Sequence, residues 1–143
     1  PKVIGNSNIP WKDALILGSG PALATTLVLF CSHFHQVAED KANGKNSPLV
    51  RLGTRRAASS IPWIIFTTLA LELLPIIFGN LPITSSLCII SLSPALSLIK
   101  LLKEHHNEPK LIYKSKFIAL HFQALNGFSF STGIALAASF GLN

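Results

Sequence analysis

A short polar segment of the chain carries side chains whose spacing suits metal binding. His33, Gln36 and Asp40 are three and four residues apart, and His35 and Glu39 form a neighbouring pair. Side chains three or four residues apart lie on the same face of an α-helix. If the segment is helical, its oxygen-bearing side chains cluster on one side, which predicts a binding site for a hard cation such as Mg²⁺.

Positive charge follows this polar segment at once. Five cationic residues lie within the 16 positions after Asp40, namely Lys41, Lys45, Arg51, Arg55 and Arg56. Mg²⁺ prefers carboxylate and phosphate oxygens, and Lys and Arg neutralise phosphate oxygens directly. The combination predicts a Mg²⁺-diphosphate site that would stabilise the charge on a departing diphosphate. Lys41, Lys45 and Arg51 are the candidate diphosphate contacts, whereas Arg55 and Arg56 are interpreted as determinants of membrane topology.

The composition indicates that a lipid bilayer surrounds the elements that position this segment. Of 143 residues, 49% are hydrophobic and only 13% are charged, against about 25% charged in soluble domains. A bilayer core needs roughly 20 apolar residues as a helix. Four stretches meet this need, at about 14–34, 57–78, 82–99 and 117–142. They predict one all-α, polytopic membrane domain over residues 1–143, with four transmembrane helices.

The cations are distributed on one side of this arrangement. Ten of the twelve Lys and Arg residues fall between the first and second spans or between the third and fourth. Up-and-down threading puts both connections on the same side of the membrane, as the positive-inside rule requires. Topology and contact with lipid therefore explain the net charge of +6. The sequence gives no reason to expect a nucleic-acid partner.

Several polar residues outside the motif have simpler interpretations. Glu72 is an ionisable group inside a span, so it is expected to face a cavity or a partner. His121, Gln123 and Asn126 are candidates for polar contacts between helices. Cys31 and Cys88 lie in apolar runs and are expected to be unpaired core residues. His105 and His106, in the second basic connection, are expected to be solvated.

The motif resembles one known family. The run DKANGK at 40–45, followed by VRLG at 50–53, resembles the second aspartate-rich motif of the UbiA superfamily of intramembrane aromatic prenyltransferases. The longer stretch 33–54, with EHHNEP at 104–109 and the segment 116–127, is similar to the branch that acts on 1,4-dihydroxy-2-naphthoate, found in cyanobacteria and plastids. Gln36 stands where the wider family has Asp, which fits this branch, whereas Ala38 stands where the branch tends to have an acid.

The resemblance implies a longer protein of about nine membrane helices, of which this chain would be the C-terminal part. In that family the second motif ends the sixth helix, and three helices follow it, as they do here. Five helices and the first aspartate-rich motif would then lie outside the 143 residues. Because that first motif supplies the other half of the Mg²⁺ site, the chain by itself is expected to be inactive.

The resemblance also implies an activity. The intact enzyme would transfer a phytyl group from phytyl diphosphate to 1,4-dihydroxy-2-naphthoate, with Mg²⁺ as cofactor, in phylloquinone or menaquinone biosynthesis in a cyanobacterial or plastid membrane. Asp40, Gln36 and Glu39 would help to hold Mg²⁺, and Lys41, Lys45 and Arg51 would bind the diphosphate.

Two alternatives remain open from the sequence. The chain could be a non-catalytic membrane module that binds a quinone or an anionic lipid through its basic connections. It could also be a small transporter subunit in which Glu72 carries a proton. An internal repeat would favour the transporter, and none is visible in the sequence.

Overall fold

The computed structural model describes residues 10–141, and this part of the chain is helical almost throughout. Its α-helices are α1 Pro10–Ser32, α2 Val37–Ala42, α3 Pro48–Leu52, α4 Thr54–Ile77, α5 Leu92–His105, α6 Pro109–Ile112 and α7 Ser115–Phe140. Two 3₁₀ segments interrupt the series, Phe34–Gln36 between α1 and α2, and Ile83–Ser91 directly before α5. No β-strand occurs within residues 10–141, so the predicted all-α class is confirmed.

The predicted membrane spans fall on the long helical stretches. Trp11–Ala42, Thr54–Ile77 and Ile83–His105 are each long and apolar enough to cross a membrane. They contain the first three predicted spans, so the prediction of a helical membrane bundle is confirmed. The fourth predicted span falls on α7, whose 26 residues have sufficient length. It is not among the three stretches of the described chain that are both long and apolar enough, so its crossing of a membrane stays a prediction.

Both basic connections lie at the same end of the bundle. The hydroxyl of Ser115, at the start of α7, donates to the carbonyl of Cys31, near the end of α1, over 3.3 Å. The rings of His35 and Tyr113 meet edge to face, with centroids 5.7 Å apart. These contacts join the segment after α1 to the segment before α7. The structure thus brings together the two cation-rich regions that up-and-down threading predicts to be neighbours.

One hydrophobic core joins the long helices to the short ones at this end. Residues from α1, α4, α5 and α7 form it, among them Leu27, Ile61, Leu98 and Phe122. Leu49 of α3 and Ile112 of α6 belong to the same core and are 0% and 1% exposed. Burial of one such side chain contributes about 1.5–3 kcal/mol, which holds the two short helices against the bundle. Cys31 and Cys88 are both buried and unbonded, as predicted.

Two glycines allow helices to approach at distances that a side chain would prevent. A Cβ atom on Gly133 of α7 would overlap the backbone carbonyl of Thr84 in the second 3₁₀ segment. The Thr84 hydroxyl donates to the carbonyl of Gly133 over 2.6 Å, which fixes the contact. A Cβ on Gly20 of α1 would overlap the side chain of Glu72. Small residues at such crossings are typical of membrane helix packing.

Candidate functional site

The motif helix α2 ends in a glycine turn that brings Lys45 back to Asp40. Gly44 has a φ of +67°, a left-handed conformation that favours glycine because other residues have a Cβ. The N–H of Lys45 donates to the carbonyl of Asp40 over 2.8 Å, and the N–H of Gly44 donates to that of Lys41 over 3.2 Å. This pair of bonds is the Schellman ending of a helix. The run from Asp40 to Lys45 is therefore one structural unit.

Asp40 has the environment of a cation ligand. Its side chain lies almost wholly inside the protein, with only 7% exposure. Among the described residues, no side chain donates a hydrogen bond to its carboxylate or forms an ion pair with it. The carboxylate oxygens are not among the buried polar atoms that lack a partner, so they reach solvent, where a cation can bind them. Asp40 is therefore the acid of the motif best suited to hold a metal ion.

The other predicted ligands are more accessible. Gln36 is half-buried and immediately precedes α2 with helical backbone angles, so it stays one turn before Asp40, on the same side. Glu39 is exposed. The continuous helix considered in the sequence analysis is in fact interrupted by the 3₁₀ segment Phe34–Gln36. Gln36 is the last residue of this segment and has helical backbone angles, so its one-turn spacing from Asp40 is retained.

The predicted diphosphate contacts lie within this unit or shortly after it, and they form no ion pair with its acidic side chains. Lys41, Lys45 and Arg51 are all exposed, and within residues 10–141 none of them forms an ion pair with an acidic side chain. Arg51 lies on α3, close to the buried anchor Leu49. Gly53 ends this helix with a φ of +77°, and its N–H donates to the carbonyl of Leu49 over 2.8 Å. The ammonium and guanidinium groups thus remain available to an anion.

The donor set is suited to Mg²⁺ shared with a phosphate. In residues 10–141, no three His, Cys, Asp or Glu side chains come together as a metal site. Mg²⁺ is usually bound through one or two carboxylates, with waters and substrate phosphates completing its shell. Asp40 and Gln36 provide a carboxylate and an amide oxygen of the required type. The residues present therefore fit a Mg²⁺ ion that other ligands complete.

An aromatic group beside the motif was not predicted as part of the site. Tyr113 contacts the ring of His35 and also that of Phe117, with centroids 5.5 Å apart for the second pair. The ammonium of Lys116 lies 4.3 Å from the centre of the Tyr113 ring, within the range of a cation–π interaction. From its position in the sequence, Lys116 is only one of the cations of the second basic connection. The spacing of Tyr113, Lys116 and Phe117, three and four residues apart, was the available signal.

His105 and His106 are partly exposed, in agreement with the prediction that they are solvated, and both also form hydrogen bonds that were not predicted. His105 Nδ1 lies 2.9 Å from Glu108 Oε1. His106 Nδ1 lies 2.9 Å from the Asn107 side-chain oxygen and 3.3 Å from the hydroxyl of Thr54, the first residue of α4. Thr54 also donates to Asn107 over 2.6 Å. These bonds connect α4 to the end of α5. Thr54 and its partners are about fifty residues apart in the sequence, so spacing along one helix could not predict the contact.

Glu72 lies in a polar cluster inside the bundle. Its side chain is 0% exposed, and the Asn126 side-chain amide donates to one of its carboxylate oxygens over 2.8 Å. The same amide group lies 3.4 Å from the hydroxyl of Ser91. The expectations that Glu72 meets a partner and that Asn126 joins two helices are both confirmed. This cluster connects α4, the second 3₁₀ segment and α7.

Replacing Asn126 with Leu should destabilise the intact protein, because Glu72 would lose its amide donor in a buried position. Loss of one partner of a buried hydrogen bond costs about 1–3 kcal/mol. The measurement is thermal unfolding of the detergent-purified protein. Gln123→Leu is the matched control on the same helix, because Gln123 makes only a 3.5 Å contact at an exposed position. Equal stability of the two variants would show that the Glu72–Asn126 bond does not stabilise the bundle.

Two curated proteins are similar to most of the chain. A 2-carboxy-1,4-naphthoquinone phytyltransferase from the cyanobacterium Synechocystis is 34% identical over 119 residues, which cover 83% of this chain and 37% of the relative. A chloroplastic 2-carboxy-1,4-naphthoquinone phytyltransferase from Arabidopsis thaliana is 37% identical over 114 residues, covering 79% of this chain and 30% of the relative. No family model and no solved structure matches the chain.

The identity to these relatives extends far beyond the motif. Matches over 119 and 114 residues require that the membrane helices align as well as the segment around Asp40. The chain spans about a third of the length of each relative. The resemblance inferred from residues 33–54 is confirmed, because most of this chain is similar to a part of two 2-carboxy-1,4-naphthoquinone phytyltransferases.

Proposed function

We propose that the intact protein transfers a phytyl group from phytyl diphosphate to a naphthoate ring in a cyanobacterial or plastid membrane. The names of the two similar proteins support this activity. The main structural support for this activity is Asp40, a residue that is only 7% exposed and whose carboxylate has no partner among the described residues. Exposed cations flank it at Lys41, Lys45 and Arg51. Since the chain covers about a third of its relatives, the activity is proposed for the whole protein.

In this proposal Asp40, Gln36 and Glu39 hold Mg²⁺ together with residues from the rest of the protein. When bound, Mg²⁺ neutralises charge on the diphosphate and favours its departure. Lys41, Lys45 and Arg51 bind the same phosphate oxygens from the aqueous side. Their charge counts most when the carbon–oxygen bond breaks, because negative charge on the diphosphate is then greatest.

The proposed acceptor is 1,4-dihydroxy-2-naphthoate, the reduced form of the quinone in the relatives' names. A hydroquinone ring is electron-rich and attacks an allylic cation, whereas a quinone ring is electron-poor. In the reaction, the bond between the allylic carbon and the diphosphate oxygen breaks, and a carbon–carbon bond forms at the ring carbon that bears the carboxylate. Loss of CO₂ from that carbon returns its electron pair to the ring and restores aromaticity. The apolar bundle keeps water away from the cation.

The direct test is turnover by the intact protein in detergent or lipid. Phytyl diphosphate and 1,4-dihydroxy-2-naphthoate should yield a prenylated naphthoquinol and one CO₂ per turnover. Removal of divalent metal with a chelator should abolish the reaction, and added Mg²⁺ should restore it. The 143-residue chain alone serves as the negative control. Product formation that persists in the chelator would contradict the metal proposal, and absence of product under all conditions would contradict the transferase proposal.

A further inference from the structure

A groove with a basic rim runs between α4 and α5 at the same end of the bundle as the motif. It encloses about 780 Å³. Its rim consists of Arg55, Lys103 and His106, and its floor consists of Ala58, Pro62 and Ile99. None of these residues belongs to the proposed catalytic motif. The inference below therefore stands or falls independently of the proposed phytyl transfer.

The sequence spacing explains why the groove is basic at one end and apolar at the other. Arg55, Ala58 and Pro62 are three and four residues apart on α4, so they form a stripe along one face of the helix. Ile99, Lys103 and His106 are spaced in the same way at the end of α5. Each stripe begins within a membrane-spanning stretch and ends in a basic connection. The groove therefore changes from apolar to cationic along the direction in which a lipid lies.

The charge on the rim is not compensated by the chain. No acidic side chain lines the groove, and within the described part of the chain neither Arg55 nor Lys103 forms an ion pair. The wall at His106 is fixed by the hydrogen bonds between Thr54 and Asn107 and between His106 and Asn107. A second depression, lined by Arg56 and Trp63, adjoins the groove at Arg55. The rim thus carries two exposed and unpaired cations, Arg55 and Lys103.

We propose that this groove binds one anionic phospholipid, with its phosphate at Arg55 and Lys103 and its acyl chain along Ala58, Pro62 and Ile99. The complementary charge favours an anionic headgroup over a zwitterionic one, because a choline group would face the same cations. The apolar floor favours a lipid over free phosphate. Each cation near the membrane surface contributes about 1 kcal/mol to attraction of anionic lipid.

The test is native mass spectrometry of the intact protein, titrated with phosphatidylglycerol or phosphatidylcholine. The wild type should bind one phosphatidylglycerol at concentrations at which phosphatidylcholine does not bind. The double variant Arg55→Gln with Lys103→Gln should weaken that affinity at least about tenfold. The control is the double variant Lys110→Gln with Lys114→Gln. It removes two exposed charges that lie at the same end of the bundle but outside the groove, and it should retain the affinity for phosphatidylglycerol.

A steric variant keeps the proposal testable if the charge variant fails to fold. Ser59 is exposed and lines the groove, so Ser59→Trp should fill it without changing its charge and should lower lipid affinity to the same degree. Three outcomes would overturn the proposal. They are equal binding of phosphatidylcholine, equal loss of affinity in the Lys110 and Lys114 control, and displacement of phosphatidylglycerol by phytyl diphosphate, which would make the groove a substrate site.

Discussion

Asp40→Asn in the intact protein is expected to lower the rate of prenyl transfer at least about tenfold, because metal-ion catalysis contributes several kcal/mol. The substitution keeps the size of the side chain and removes its charge. It should not lower the stability of the metal-free protein, because the carboxylate has no partner there among residues 10–141. The unfolding temperature should therefore stay close to that of the wild type.

This pair of readouts separates a metal ligand from a structural carboxylate. Turnover is measured over a range of Mg²⁺ concentrations, and unfolding is followed in metal-free detergent solution. Glu104→Gln is the matched control, because Glu104 is an exposed carboxylate at the same end of the bundle with only a 3.9 Å contact to His105. Wild-type kinetics in Asp40→Asn would remove Asp40 from the proposed metal site. Lost activity accompanied by a lower unfolding temperature would indicate a structural role.

Gly133→Ala is expected to destabilise the protein by about 1–3 kcal/mol, the usual cost of overpacking a well-packed interior. The added methyl group would overlap the carbonyl of Thr84, which is backbone and cannot rotate away. To make room, α7 must move from the second 3₁₀ segment and stretch the hydrogen bond from the Thr84 hydroxyl to the Gly133 carbonyl. The measurement is thermal or denaturant unfolding of the intact protein in detergent.

Gly127→Ala provides the control on the same helix. A Cβ on Gly127 meets nothing within 4 Å, and alanine is a better helix former than glycine by about 1 kcal/mol. This variant should therefore be as stable as the wild type or slightly more stable. If the two alanine variants unfold at the same temperature, α7 does not pack against the 3₁₀ segment as closely as the structure shows.

The site was only partly predictable from the sequence. Spacing placed Gln36 and Asp40 one turn apart, because this depends only on neighbours within a few residues. Burial could not be predicted in this way. Asp40 and Glu39 are adjacent in sequence, yet Asp40 is nearly buried and Glu39 is exposed, because only the packing of the remaining helices decides which side of α2 faces the protein.

The sequence by itself determined the all-α membrane class, the common end of the two basic connections and the similarity to the phytyltransferases. These depend on composition, on the order of apolar and charged segments, and on a contiguous motif. The tertiary structure alone decided the Glu72–Asn126 bond, the contact of Tyr113 with His35, the 3₁₀ segment Ile83–Ser91 and the basic groove. Each of these requires side chains or backbone from distant parts of the chain to meet, and the spacing of residues along one helix does not specify which neighbour will face it.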